Sequence, residues 1–202
     1  MALELSDYCY LAGLAVGCAI RRLQTGSRRA GAVVASRRTA SDVLSVALSS
    51  LGMFVLPLLH LATEWPKAAD FVLAPGLSAL ATVMGCVLFA SALWLLWRSH
   101  SDLGRAWSMF PEVREGQGLV TSGVYTRIRH PMYAAHFLWA LAQALLLHNW
   151  IVGPSMLVTM IPFYFVRVRQ EEGLMREHFG AQYEAYAGRT GRILPGRRPR
   201  AQ

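Results

Sequence analysis

An uncharged run of 27 residues, "FVLAPGLSALATVMGCVLFASALWLLW" at 71–97, constrains this chain more than any other feature. As a helix rising about 1.5 Å per residue, such a run more than crosses a hydrocarbon core about 30 Å thick. A second run, "VLSVALSSLGMFVLPLLHLA" at 43–62, has the same character. Three shorter ones follow the same logic. Residues 8–20, "YCYLAGLAVGCAI", reach spanning length only with Leu3 to Asp7, which brings in Glu4 and Asp7. Residues 132–147 and 151–166 are separated only by "HNW" and read as a helical hairpin, each arm reaching roughly 24 Å. Pro154 and Pro162 are expected to bend the second arm. Two short tilted helices and a hairpin packed around a polar site both remain open. A chain 54% hydrophobic and only 16% charged is too apolar for an ordinary soluble protein. The expected fold is an all-α integral membrane protein of about five transmembrane helices in one domain, 1–202. Residues 1–97 form a scaffold of three helices, and 98–202 carry the hairpin 132–166, a loop and a C-terminal helix.

Charge placement tests this layout. Arg21, Arg22, Arg28, Arg29, Arg37 and Arg38 lie between the first two segments; Arg98, Arg105, Arg114, Arg127 and Arg129 lie between the third and fourth. Eight more run from Arg167 to Arg200, and the opposite side receives only Lys67. Nineteen of the twenty basic residues thus share one face, which the positive-inside rule makes cytoplasmic, with the N-terminus outside and the C-terminus inside. The net charge of +8 therefore marks topology and contact with membrane lipids. A nucleic-acid partner is not expected, because no basic surface interleaved with aromatics is evident. The first segment lacks a basic start and a small-residue cleavage site, so it reads as retained. Cys9, Cys18 and Cys86 sit in apolar segments without paired spacing and read as packing residues. Oligomeric state leaves no signal.

Polar chemistry concentrates after residue 98. The segment 98–131 is too long for a simple turn and carries Gly104, Trp107, Gly116, Gly118 and Gly123. "GQGLVTSG" is not a nucleotide loop, since no strand precedes it and no strand-helix-strand alternation surrounds it. Its glycines suit tight turns or close backbone approach to a ligand, and "HSDLGRAW" suits an ordered interfacial loop. In "RHPMY", Pro131 fits the first turn of the fourth helix, which puts His130 at the N-cap and Arg129 just outside, where free N–H groups favour an anion. An interfacial anchor, with Arg snorkelling and Tyr133 in an aromatic belt, explains the same residues. The fifth segment then runs into "RVRQEEGLMREHFGAQYEAYAGRTGRILPG", with Arg167 and Glu171 four residues apart on one face. A solvated ion pair explains those two. A polar helix continuing straight out of a span, toward the face that receives Arg129 and His130, favours convergence on a site. His60 and the scattered Ser and Thr of the first three segments read as scaffold.

Taken together, "GLVTSGVYTRIRHPMY", the hairpin with its Asn, and "RVRQEEGLMREHFGAQYEAYAGRTGRILP" resemble the isoprenylcysteine carboxyl methyltransferase family of integral membrane enzymes, prokaryotic members included. The resemblance covers roughly 98–195, together with the five-segment layout; the paired RHPxY and EE motifs are shared with phospholipid methyltransferases. It implies S-adenosyl-L-methionine bound in a cytoplasmic pocket of the C-terminal half, without a Rossmann domain. Carried over, it implies that Gln117, Gly118, Leu119 and Val120 contact the cofactor through backbone, and that Tyr125, His130, Pro131, Met132 and Tyr133 line the pocket. Glu171 would hold the cofactor's polar end and Arg167 the methyl acceptor, a lipophilic or lipidated substrate; these two are the catalytic candidates. The acidic run "QEE" is shorter than in some relatives, Met132 fills a variable position, and the N-terminal half carries no family motif. A bacterial inner membrane is the expected setting.

A sulfonium methyl is already activated and a carboxylate acceptor, with a pKa of about 4, is already ionised, so no general base is required. The protein must supply in-line positioning and exclusion of water, and Arg167 can hold a carboxylate at two points. An amine acceptor, as in phospholipid methylation, would need a base, and Glu172 or His130 are the candidates. A sterol-type reductase using NADPH is a further alternative that the RHPMY form disfavours. His100, His130, His136, His148 and His178 show no clustered ligand box for a di-iron hydroxylase, and no metal is expected.

Overall fold

A computed structural model of the chain describes residues 3–25, 32–36, 40–108 and 111–196. Each of the five apolar segments falls on a helix. The first is α1 (Leu5–Thr25), so the helix extends beyond 8–20 at both ends. The second is a continuous rod made of α2 (Ala40–Ser50), one π-helical turn (Leu51–Val55) and α3 (Leu56–Thr63). The third is α4 (Pro75–Leu103), followed by α5 (Pro131–Leu146), α6 (Val152–Phe179) and a short α7 (Ala181–Arg189). Two of these rods, Asp42–Thr63 and Pro75–Leu103, are long and apolar enough to cross a membrane.

Several boundaries differ from expectation. Helix α4 does not stop at residue 97 but carries "RSHSDL" as two further helical turns, ending at Gly104 with φ +53. Helix α6 does not stop at residue 166 but continues to Phe179, with Pro162 inside it. Pro154 lies in the first turn, where its missing N–H has no helical partner anyway. The chain is also not purely helical: β1 (Val33–Ser36) pairs antiparallel with β2 (Glu112–Arg114), joining the α1–α2 connection to the loop after α4.

The outer face of α4 is apolar. Leu77, Leu80, Val83, Val87 and Trp94, spaced by three, four and seven residues, are each more than half exposed. Water penalises such a stripe and lipid does not. Packing inside the bundle is built chiefly by α5 against α4 on one side and α6 on the other. At its centre Pro57, lacking an N–H, leaves a carbonyl of the preceding turn without its helical donor. Met53 O instead accepts from Tyr10 Oη at 3.0 Å. Gly52 O accepts from Gln143 Nε2 at 3.1 Å and Ser155 Oγ at 3.0 Å. Gln143 Oε1, 2.9 Å from Tyr10 Oη, shares that single hydroxyl proton with Met53 O, so the polar groups of four segments meet in one buried network.

Connections sort to two ends. At one, Asn149 joins the α5–α6 turn to the α3–α4 connection: its Nδ2 donates to Asp70 Oδ1 at 2.6 Å and Pro66 O at 3.0 Å, and its Oδ1 accepts from the N–H of Ile151 and Val152. At the other lie the ends of α1, α4 and α6, the β1–β2 ribbon and the loop residues 104–108 and 111–130. Among the described residues, Arg21, Arg22, Arg98, Arg114, Arg127 and Arg129 belong to these elements. Arg28, Arg29, Arg37, Arg38, Arg197, Arg198 and Arg200 lie outside the described residues.

Candidate active site

The loop that enters α5 is anchored before it reaches the site. Gly123 adopts φ +59, and a Cβ there would meet Asp102 Oδ2 at 2.1 Å. A side chain is excluded on both counts. Asp102, the last acid of α4, accepts from Val124 N–H at 2.9 Å and is held by Arg98 at 2.8 Å. Tyr125 Oη donates to Ser99 O, and Tyr186 Oη donates to Tyr125 O at 2.8 Å. Residues 127–130 then pair with the chain after α7: Arg129 N–H donates to Gly191 O and His130 N–H to Arg192 O, both at 2.8 Å. Pro131 opens α5 with His130 at its N-cap, as the sequence implied, but the imidazole makes no capping bond.

His130 instead lies between two carboxylates. Its Nδ1 is 3.5 Å from Glu171 Oε2 and its Nε2 is 3.3 Å from Glu172 Oε1. Glu172, 2% exposed, receives Arg192 through Nε and Nη2 at 3.0 and 2.9 Å, Arg176 at 3.3 Å and Arg129 at 3.4 Å. Arg129 also donates to the carbonyls of Ala187 and Thr190. Arg129 is thus no interfacial anchor but part of a knot tying α6 to both flanking loops. Glu171 faces the other way. Its Oε1 accepts from Tyr133 Oη at 2.6 Å and lies 3.8 Å from Arg167 Nη2. Arg167 Nη1 lies 3.4 Å from Asp42 Oδ1.

Electrostatics follow from these contacts. Burial alone would lower the His130 pKa, but hydrogen bonds and attraction to Glu171 and Glu172 outweigh it and raise it above the ordinary histidine value. Burial would raise both carboxyls; hydrogen bonds from His130, with Tyr133 at Glu171 and Arg192 at Glu172, leave each below the ordinary carboxylate value.

A cavity of about 280 Å³ opens beside Glu171, near the lower edge of the range for small-ligand sites, roughly 300–1,000 Å³. All eleven residues singled out from sequence border it: Gln117, Gly118, Leu119, Val120, Tyr125, His130, Pro131, Met132, Tyr133, Arg167 and Glu171. Glu172, named as a possible base, does not border it, because its carboxylate is committed to the arginine knot. Two groups of lining residues had not been anticipated. The aromatic groups Trp107, Phe179, Tyr183 and Tyr186 come from the loop and the C-terminal helices. Arg21, Val46, Met53 and Phe54 come from the first two segments, so the N-terminal half supplies a cavity wall as well as scaffold. Arg21 Nη2 is 3.0 Å from His136 Nε2, while His136 Nδ1 is 2.6 Å from Met132 O. The carbonyl requires the proton on Nδ1, so Nε2 accepts from Arg21. No local spacing could reveal that pair, its members being 115 residues apart.

The cavity therefore joins a charged end to an apolar wall of Val46, Met53, Phe54, Met160 and Phe163. Glu171 offers a carboxylate to a cationic group, Arg167 a guanidinium to an anionic one, and the wall a surface for hydrocarbon.

Residues 82–177 match the isoprenylcysteine carboxyl methyltransferase (ICMT) family. The chain is 29% identical over 162 residues to protein-S-isoprenylcysteine O-methyltransferase A of Arabidopsis thaliana, covering 76% of each protein. It is 30% identical over 118 residues to protein-S-isoprenylcysteine O-methyltransferase of Saccharomyces cerevisiae, covering 57% of this chain and 49% of that one. With the human protein of the same name it shares 39% identity over 77 residues, 38% of this chain and 27% of that one.

Proposed function

We propose that this chain, which belongs to the isoprenylcysteine carboxyl methyltransferase family, is an integral membrane enzyme that methylates the carboxylate of a lipophilic, isoprenylcysteine-like acceptor with S-adenosyl-L-methionine. One observation carries the reading: a carboxylate, a guanidinium and an apolar wall border the same cavity, at the end of the bundle that gathers the loops. The cavity end faces the cytoplasm of a bacterial cell and the N-terminus lies outside, in keeping with the arginine distribution.

When bound, the cofactor supplies an activated methyl group. Glu171 meets its cationic end, kept ionised and aimed by Tyr133 and His130. The backbone of Gln117 to Val120 forms one rim, and Tyr125, Pro131, Met132 and Tyr133 close the sides. Arg167 receives the acceptor carboxylate, and Val46, Met53, Phe54 and Phe163 receive its hydrocarbon. No residue has to remove a proton, because the acceptor arrives ionised; the work of the chain is alignment and exclusion of water. The engagement of Glu172 supports this over amine methylation. With Glu172 engaged, the base an amine requires would fall to His130, and its two carboxylates favour the protonated, non-basic form of the ring.

Incubating the purified protein with methyl-labelled cofactor and either an N-acylated S-isoprenylcysteine or a total lipid extract of its host tests the reading. The expected product carries its label in a base-labile ester. Label only in a base-stable product overturns carboxyl methylation in favour of amine or phospholipid methylation.

A further inference from the structure

We propose that Asp42, in the N-terminal half, is a positioning residue that sets the chain's preference for an anionic acceptor by acting through Arg167. The inference rests on the carboxyl-methylation reading and assigns it a determinant outside the family-matched stretch 82–177.

Asp42 lies in the first turn of α2 and is 0% exposed. A helix N-terminus favours a carboxylate there, which helps keep a buried acid ionised. Its Oδ1 is 3.4 Å from Arg167 Nη1, while Arg167 Nη2 is 3.8 Å from Glu171 Oε1. Arg167 and Glu171 border the cavity; Asp42 does not. The guanidinium is therefore drawn between a carboxylate behind it and one inside the site. Without the rear one, a buried guanidinium keeps its demand for an anion and closes on Glu171, four residues along the same helix. That closure removes the face an acceptor carboxylate needs and compromises the group assigned to the cofactor's cationic end. Asp42 divides the labour: it holds Arg167 back so that Arg167 and Glu171 serve two different ligands. The stacking of Arg167 over Phe163, with 5.9 Å from its Cζ to the ring centroid, supports the same orientation.

The test is ligand-induced thermal stabilisation of full-length, detergent-purified protein. Three probes are used: S-adenosylhomocysteine, an N-acylated S-isoprenylcysteine acid, and the corresponding primary amide. Wild type is expected to bind the acid in preference to the amide. Asp42→Asn is expected to cut that preference about tenfold, the scale of one hydrogen bond to a charged group, and to weaken S-adenosylhomocysteine only a few-fold. An unchanged acid preference in Asp42→Asn overturns the role of Asp42 and leaves the functional reading standing. Equal losses for all three probes overturn it too, since a merely structural residue would act that way. Wild type that fails to distinguish acid from amide overturns the functional reading itself, and this inference with it. Should Asp42→Asn not purify folded, Asp42→Glu decides: a preference altered threefold or more supports positioning, and an unaltered one overturns it.

Discussion

Glu171 and Glu172 are consecutive residues on one helix, yet they meet opposite environments. Glu172 is sealed, with three arginines and His130 around its carboxylate, and it joins α6 to the loop before α5 and to the chain after α7. Glu171 has a side chain 28% exposed on the cavity side and is gripped mainly by Tyr133. One step along a helix turns a side chain by about 100°, enough to send one carboxylate into the fold and the other into the site. His130 touches both and couples them. Pairing saturates the first group and leaves the second with capacity for a ligand, so charge density alone does not mark the functional member of such a pair.

The sharpest way to break this contrast is to empty the knot. Glu172→Ala removes the carboxylate from the buried Arg129 and His130, while the more exposed Arg192 and Arg176 turn to water, and is expected to cost about 3 kcal/mol of stability. Thermal melting in detergent checks it; a small change would mean the knot is ornamental. On the cavity side, Arg167→Lys keeps the charge but loses the two-point grip, and is expected to reduce carboxyl methylation roughly 10- to 100-fold. Its unliganded melting temperature should stay near that of wild type. Gly123→Ala strains a positive-φ position against Asp102 and is expected to cost about 1–3 kcal/mol, loosening the loop and weakening S-adenosylhomocysteine binding in parallel.

The smallest effect is that of pH. The raised pKa of His130 means that its contribution to stability is complete below the ordinary histidine value near 6.5 and is lost as pH rises through the raised value. The lowered carboxyls contribute fully above about 4.5 and lose that contribution as pH falls. Melting temperature is therefore expected to be flat between those limits and to decline on the alkaline side. His130→Gln should flatten that alkaline limb; an unaltered limb would detach His130 from both glutamates.

Apolar runs announce where these helices lie because an apolar segment satisfies its own backbone most simply as a helix, and two of them, Asp42–Thr63 and Pro75–Leu103, are long and apolar enough to cross a membrane. They did not announce where helices end. "RSHSDL" at 98–103 is too polar to read as part of a span, yet helical hydrogen bonding continues until Gly104 turns the chain. The short pairing of "VVAS" with "EVR" leaves no mark in the sequence, since neither strand is long enough to show alternation. Within the site, the polar groups crowded into "RHPMY" and "EE" mark a place of interest but fit an anchor and a solvated ion pair as well, and it is the family resemblance that implies their roles. Asp42 and Arg21 are not crowded in this way: each is a single charge at the end of an apolar segment, and its partner is 125 or 115 residues away. Asp42 did leave a trace, as the first acid after six arginines, but nothing local told it apart from a helix-start residue.

The account turns on the two glutamates having separate duties, and substituting each by glutamine tests it directly. The measurement is melting temperature with and without saturating S-adenosylhomocysteine. Glu171→Gln should melt within a few degrees of wild type and lose most of the ligand-induced rise. Glu172→Gln should melt well below wild type whether or not ligand is present. A Glu171→Gln protein that keeps the full rise, or one that is destabilised as deeply as Glu172→Gln, would contradict the assignment.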